Sequence, residues 1–174
     1  VPIVYSSRKN GPIAYAWKVK INETAKKPSF SNVFSELNHN EMAGFHSGEV
    51  SKLLSQNFYF IFLKDLSDNP RILKRMEVTA KLFQNQKLNV ETVELTGDNV
   101  FAKIFSSLQL ADWVSYYIAK EYGIDPGNIS TIKEFKKQIR ICLVSSVLQN
   151  YFLFHKHIEI LLLQAECAIH PQFL

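Results

Sequence analysis

The sequence predicts an α/β domain built on a parallel sheet covered by helices on both faces. Three observations carry this. Strand-length apolar runs alternate with helix-length amphipathic segments in the order β, α, loop, β, α, β, α. Residues 57–63, NFYFIFL, form a nearly continuous apolar and aromatic run, as expected of a strand buried on both sides. Residues 100–122 give a long helix with a wide apolar face: Phe101, Ile104, Phe105, Leu108, Ala111, Val114, Tyr117 and Ile118.

The remaining elements are taken in chain order. Residues 1–5 are apolar and β-branched and end in Ser6 and Ser7, a buried strand running into a polar loop. Gly11-Pro12 opens a helix over 12–26, where Ile13, Trp17 and Ile21 recur every four residues. Lys26 and Lys27 suit its negative end, Pro28 stops it, and Glu23 falls in its last turn. Residues 28–50 show no sustained period and read as loop with short helical turns. After strand 57–63, Asp68-Asn69-Pro70 caps a helix with Ile72, Met76, Ala80 and Phe83 on one face. Residues 89–95 form a shorter strand closed by Gly97; Gly123 ends the long helix, and Asp125-Pro126-Gly127 turns into a basic helix over 130–139.

At 174 residues the chain suits one domain with a full core, and its 47% hydrophobic and 21% charged residues are those of a globular protein. The net charge of +4 is spread over predicted helices without any nucleic-acid-binding pattern, which favours anionic small molecules over nucleic acid. Cys142 and Cys167 have no CxxC partner, so the usage fits a reducing cytoplasm and gives neither a zinc site nor a redox pair. His39-Asn40-Glu41 is followed by no PCxxC, and His155 and His157 lack further ligands, so no metal and no cofactor is expected. No signal peptide or membrane span is visible. The chain opens on strand-like sequence without Met, and the expectation is that it begins within a longer protein. From Arg140 the sequence turns apolar, rich in Leu and Phe and without clear caps. Residues 140–174 read as an extra helix, an oligomer contact, or non-native sequence beyond the true end, whereas 1–139 reads as the domain.

Chemistry concentrates in residues 21–45. Glu36 and Glu41 bracket His39, itself flanked by Asn38 and Asn40, with Glu23, Lys26 and Lys27 upstream. In a parallel sheet ligands bind outside the carboxyl ends of the strands, and the stretch 28–45 is expected there.

The segments WKVKINETAK (17–26), SELNHNEMAGF (35–45), LQLADWVSYYIAKEYGIDP (108–126) and TIKEFKKQI (131–139) resemble, in register, the bifunctional phosphoglucose/phosphomannose isomerases. Those are built from two sugar-isomerase (SIS) domains, and residues 1–139 are similar to the second only. The resemblance implies a flavodoxin-like three-layer αβα fold with a mostly parallel five-stranded sheet, and a homodimer with active sites shared between subunits. It implies a hexose 6-phosphate substrate, interconverted between glucose 6-phosphate, mannose 6-phosphate and fructose 6-phosphate. Glu23 matches the family's catalytic base, His39 the histidine that assists ring opening, and Lys136 a lysine reaching toward substrate, with Lys133 and Lys137 as neighbours. Thr24 departs from the commoner Asn. The phosphate-gripping Ser/Thr loop and the active-site arginine belong to the N-terminal SIS domain, which is absent from this sequence, so the fragment alone is expected to be inactive.

Moving a proton between C1 and C2 through a cis-enediol needs one carboxylate, as Glu23 would provide. Trp17 and Ile21 are expected to desolvate it, while Lys20, Lys26 and Lys27 favour its anion. Without the resemblance, Glu23 reads as a solvated helix end, His39 as a backbone-bonded loop histidine and Lys136 as a surface lysine. Trp113, Tyr116 and Tyr117 read as core or dimer contact. The alternative from another class is a catalytically silent SIS module that binds a phosphosugar for regulation.

Overall fold

Strand alternation sets up two cores. Val4 and its register partner Ile61 point to one side of the sheet, and Ile3, Tyr5, Phe60 and Phe62 to the other. The computed structural model describes residues 1–45 and 48–140. The chain divides into two units, Val1–Gly127 and Asn128–Leu174.

In the first unit the strands β1 (Pro2–Ser6), β2 (Phe30–Val33), β3 (Tyr59–Lys64) and β4 (Asn89–Glu94) pair in parallel in the order β2-β1-β3-β4. That is the start of the flavodoxin-like strand order. Among the described residues the sheet has four strands, one fewer than the five expected. β2 lies in the stretch read as loop. Its four residues FSNV carry two polar side chains and pair with β1 alone, so neighbour contacts rather than sequence pattern make it a strand.

One face is covered by α1 (Gly11–Glu23) and α6 (Val100–Glu121), whose Ile13, Ala14, Trp17, Ile21 and Ala111 join Val4, Ile61, Leu63 and Leu95 in a core. The Trp17 indole donates to Ser107 Oγ at 2.9 Å and ties the two helices. The α6 residues that reach this core are Ala111 with the partly buried Ile104, Val114 and Ile118, and Ser107, Ser115 and Ala119 are also buried. Phe101, Phe105 and Tyr117, expected on the core face, are exposed. The buried stripe is narrower than the apolar one because small Ser and Ala side chains leave little room beside them. Trp113 stacks on Tyr117 at 6.0 Å on the exposed side, so this cluster is not core within one chain.

The other face carries α5 (Pro70–Asn85) and a helical run made of α2 (Phe34–Glu36), a π turn (Leu37–Glu41) and α3 (Met42–Gly44). A short α4 (Glu49–Ser55) precedes β3. Asn69 caps α5 by accepting from Arg71 N at 2.9 Å, and Ile72, Met76, Ala80 and Phe83 face the core as their spacing predicts. α1 ends three residues earlier than expected, at Glu23, because Lys26 adopts a left-handed φ of 53°. The layers are therefore αβα.

In the second unit residues 130–140 are helical. Asn128 Oδ1 accepts from Ser130 N at 2.9 Å, and every described position of the helix is exposed. The tail beyond Arg140 lies outside the described residues.

Candidate active site

Glu23 closes α1. The Thr24 N–H returns to Lys20 O at 2.8 Å and the buried Ala25 N–H to Ile21 O at 3.1 Å, after which Lys26 reverses the chain. Asn22 Nδ2 donates to Lys27 O at 2.8 Å and pins the turn. The carboxylate is exposed, contrary to the expectation that Trp17 and Ile21 desolvate it. Glu23 follows Ile21 by two residues, about 200° round the helix, so it leaves the core face on which both hydrophobic side chains sit. None of the three neighbouring cations pairs with it among the described residues. Lys20 pairs with Asp112, Lys26 Nζ donates to the Glu23 peptide oxygen, and Lys27 lies 3.6 Å from the Tyr122 ring centroid. Among the described residues the Glu23 carboxylate has no ion-pair partner. Lys27 also borders a cleft of about 630 Å³ at the amino edge of the sheet, lined by Pro28, Tyr59, Ile61, Val114 and Ile118.

His39 is the middle residue of the π turn. Met42 N–H bonds Leu37 O, an i to i+5 bond that inserts an extra residue into the turn. Core contacts accordingly run Phe34, Leu37, Met42, Phe45, with a five-residue step where an α-helix would take three or four. That step turns His39 outward, exposed to solvent. The polar residues beside it are each tied down. Asn38 Nδ2 donates to Thr79 Oγ1 at 2.9 Å, Asn40 Nδ2 to Glu36 Oε2 at 3.1 Å, and the Glu41 carboxylate accepts from the Tyr5 hydroxyl and from Asn32 Nδ2. Burial first, and then the hydrogen bond to Glu41, push the Tyr5 phenol well above its ordinary pKa, so it stays a donor.

Glu23 belongs to the α1 layer and His39 to the opposite one, so a single chain does not bring them together. Lys136 belongs to the second unit, exposed on the helix over 130–140.

The carboxyl edge of the sheet, where residues 28–45 were expected, is filled differently. The helical run starts at the end of β2 but lies along the sheet's face. The edge itself holds a buried polar network from the loops after β1 and β3. Ser7 Oγ donates to Asp68 Oδ1 at 2.9 Å, Asn10 Nδ2 reaches Asp68 Oδ2 at 3.3 Å, and Asp65 accepts from Lys103 at 2.6 Å and Lys9 at 3.1 Å. Burial alone would raise the Asp65 carboxyl, but Lys103, the Ser67 N–H and hydroxyl, and Lys9 outweigh it and hold the group well below the usual carboxylate range. SSRKN and KDLSD, polar runs immediately after strands, were the available signal for this network. Among the described residues no group of three His, Cys, Asp or Glu side chains is placed to hold a metal ion.

Residues 1–139 match the model of the bacterial phospho-glucose isomerase C-terminal SIS domain. The chain belongs to this family. Two relatives named bifunctional phosphoglucose/phosphomannose isomerase are similar to the SIS domain, one from Thermoplasma volcanium, 36% identical over 139 residues, and one from Aquifex aeolicus, 31% over 140. Each alignment covers 80% of this chain but only 43% and 42% of the relative. The SIS domain thus spans less than half the length of the curated relatives it matches. Its fold is similar to that of a crystal structure described as a glucose-6-phosphate isomerase like protein from Thermus thermophilus, with TM-score 0.54 and 18% identity, covering 79% of this chain and 42% of that one. The SIS domain therefore has a three-layer αβα fold, with Glu23 and His39 on opposite layers.

Proposed function

We propose that this SIS domain is the C-terminal part of a cytoplasmic aldose-ketose isomerase that interconverts glucose 6-phosphate, and mannose 6-phosphate, with fructose 6-phosphate. The supporting observation is Glu23, an exposed carboxylate at a helix end with which none of its three cationic neighbours forms an ion pair among the described residues. A base left free of ion pairs is available to take a proton from C2 and return it to C1. The cis-enediol intermediate needs no second carboxylate. His39, held outward by the π turn, exchanges protons with the ring oxygen and O1 to open the sugar, and Lys136 stabilises negative charge on the enediolate oxygen. Because Glu23 and His39 lie on opposite layers, the enzyme is a homodimer in which the base of one copy meets the histidine of another. An N-terminal SIS domain supplies the phosphate grip.

The test is fructose 6-phosphate formation from glucose 6-phosphate by the full-length protein, this chain joined to its upstream SIS domain. Glu23→Gln is expected to lower kcat by about 10²-fold or more with the fold intact. Mixing Glu23→Gln with His39→Ala subunits is expected to restore part of the activity, since a mixed dimer contains one site with both groups. A parent protein that binds fructose 6-phosphate without turning over glucose 6-phosphate would replace this reading with that of a regulatory phosphosugar-binding module.

A further inference from the structure

The π turn that carries His39 is tied to α5 through Asn38, which bonds Thr79 and Arg75, and to the sheet through Glu41. Glu41 sits at its end, partly buried, and both carboxylate oxygens are occupied: Oε2 by the Tyr5 hydroxyl of β1, Oε1 by Asn32 Nδ2 of β2. Tyr5 is fully buried, with its ring against Phe34, Phe60 and Phe62, and so cannot follow Glu41 if the turn moves. Asn32 is fixed in turn, its Oδ1 accepting from Val33 N at 2.8 Å. No lysine or arginine pairs with Glu41 among the described residues. A partly buried carboxylate satisfied only by neutral donors costs desolvation without gaining an ion pair, and an apolar side chain in its place would leave the buried Tyr5 hydroxyl unpaired. What the carboxylate adds is geometry, two directed hydrogen bonds from two strands that converge on the end of a five-residue turn.

We propose that Glu41, through Tyr5 and Asn32, is a positioning residue that locks the π turn and so fixes where His39 is presented to substrate. This rests on the isomerase reading above and extends it from the histidine to the device that aims it. Glu41 itself does not exchange protons with substrate, because both of its oxygens are engaged with the sheet. Releasing the clamp lets the turn relax toward α-helical pairing, which shifts His39 round the helix. Misplacement of a reacting group by about 1 Å costs about 10²-fold in rate.

The variants are Tyr5→Phe, which keeps the core ring and removes one donor, and Glu41→Gln and Glu41→Ala, all in the full-length protein. The first readout is hydrogen exchange at the Met42 amide, which closes the turn and does not depend on activity. Protection is expected to fall at least tenfold in Glu41→Ala, less in Glu41→Gln, and by more than at the strand amides of β1 and β3. The second readout separates ring opening from binding. The kcat for glucose 6-phosphate is expected to fall about 10- to 100-fold in Glu41→Ala, and less in Glu41→Gln, which keeps one acceptor. Inhibition by 6-phosphogluconate, an open-chain acid phosphate that needs no ring opening, is expected to stay within about twofold. Unchanged Met42 protection overturns the clamp whatever the activity. Equal loss of kcat and of 6-phosphogluconate binding overturns positioning in favour of a structural role. If the clamp releases but a parent protein shows no isomerisation, the isomerase reading fails and the positioning role falls with it.

Discussion

Asp65 offers the sharpest test of how the carboxyl edge of the sheet is held. It is 2% exposed, yet its two oxygens accept from Lys103 Nζ at 2.6 Å, Lys9 Nζ at 3.1 Å, Ser67 N at 3.0 Å and Ser67 Oγ at 2.9 Å. Asp65→Ala strips the acceptor from these four donors and from Asn10 Nδ2, which reaches Oδ2 at 3.5 Å. The Lys9 side chain, 55% exposed, can turn into water, whereas Lys103, 23% exposed, is left partly buried without a counter-charge. Removing one member of a buried ion pair costs roughly 3–5 kcal/mol, and since both lysines have a route to solvent the lower end applies, about 3 kcal/mol. For a chain of this size that is a Tm drop of about 6–12 °C. Lys9→Met removes only the exposed arm and should cost no more than about 1 kcal/mol. Lys103→Met should fall between the two. The assay is urea and thermal unfolding followed by circular dichroism. The pH dependence gives an independent check. The folded-state Asp65 carboxyl lies below its unfolded value of about 3.9, so its stabilisation is full above that pH and is lost as pH falls through the lower folded value. The stability gap between the parent and Asp65→Asn should be constant from about pH 7 to pH 5 and narrow below about pH 4. Asp65→Ala within about 1 kcal/mol of the parent, or Lys9→Met as damaging as Lys103→Met, would refute this account of the network.

Two further predictions concern the packing of α6. Gly97 has φ 151°, and a Cβ there would lie 2.7 Å from Lys103 N and 2.8 Å from Ala102 Cβ, so Gly97→Ala should cost about 1–3 kcal/mol in unfolding free energy; an unchanged midpoint would show that the loop yields freely. Ser115 is fully buried and its hydroxyl has no partner among the described residues, so Ser115→Ala should raise stability by about 0.5–1 kcal/mol, and a fall in Tm would mean the hydroxyl is satisfied after all.

What the sequence determined by itself is local. Apolar strand-length runs and helical stripes place β1, β3, β4, α1, α5 and α6 within a few residues, because those patterns record which sides of each element are dry. Four segments in register, those around Glu23 and His39 with 108–126 and 131–139, identify the family. Contacts distant in sequence decided the rest. β2 is a strand only because β1 lies beside it, with Ile3 opposite Phe30. The five-residue step from Leu37 to Met42 has no regular period, so the π turn reads as loop until Tyr5 and Asn32 are seen gripping Glu41. Lys20, Lys26 and Lys27 surround Glu23 in sequence, yet Asp112, a peptide oxygen and Tyr122 claim them in space. Glu23 and His39 are 16 residues apart in the chain, but β2 runs between them through the sheet. A strand entered from one layer and left toward the other puts the residues on its two sides on opposite faces. Periodicity fixes what each element is; only the packed sheet fixes which faces, and therefore which reactive groups, can meet.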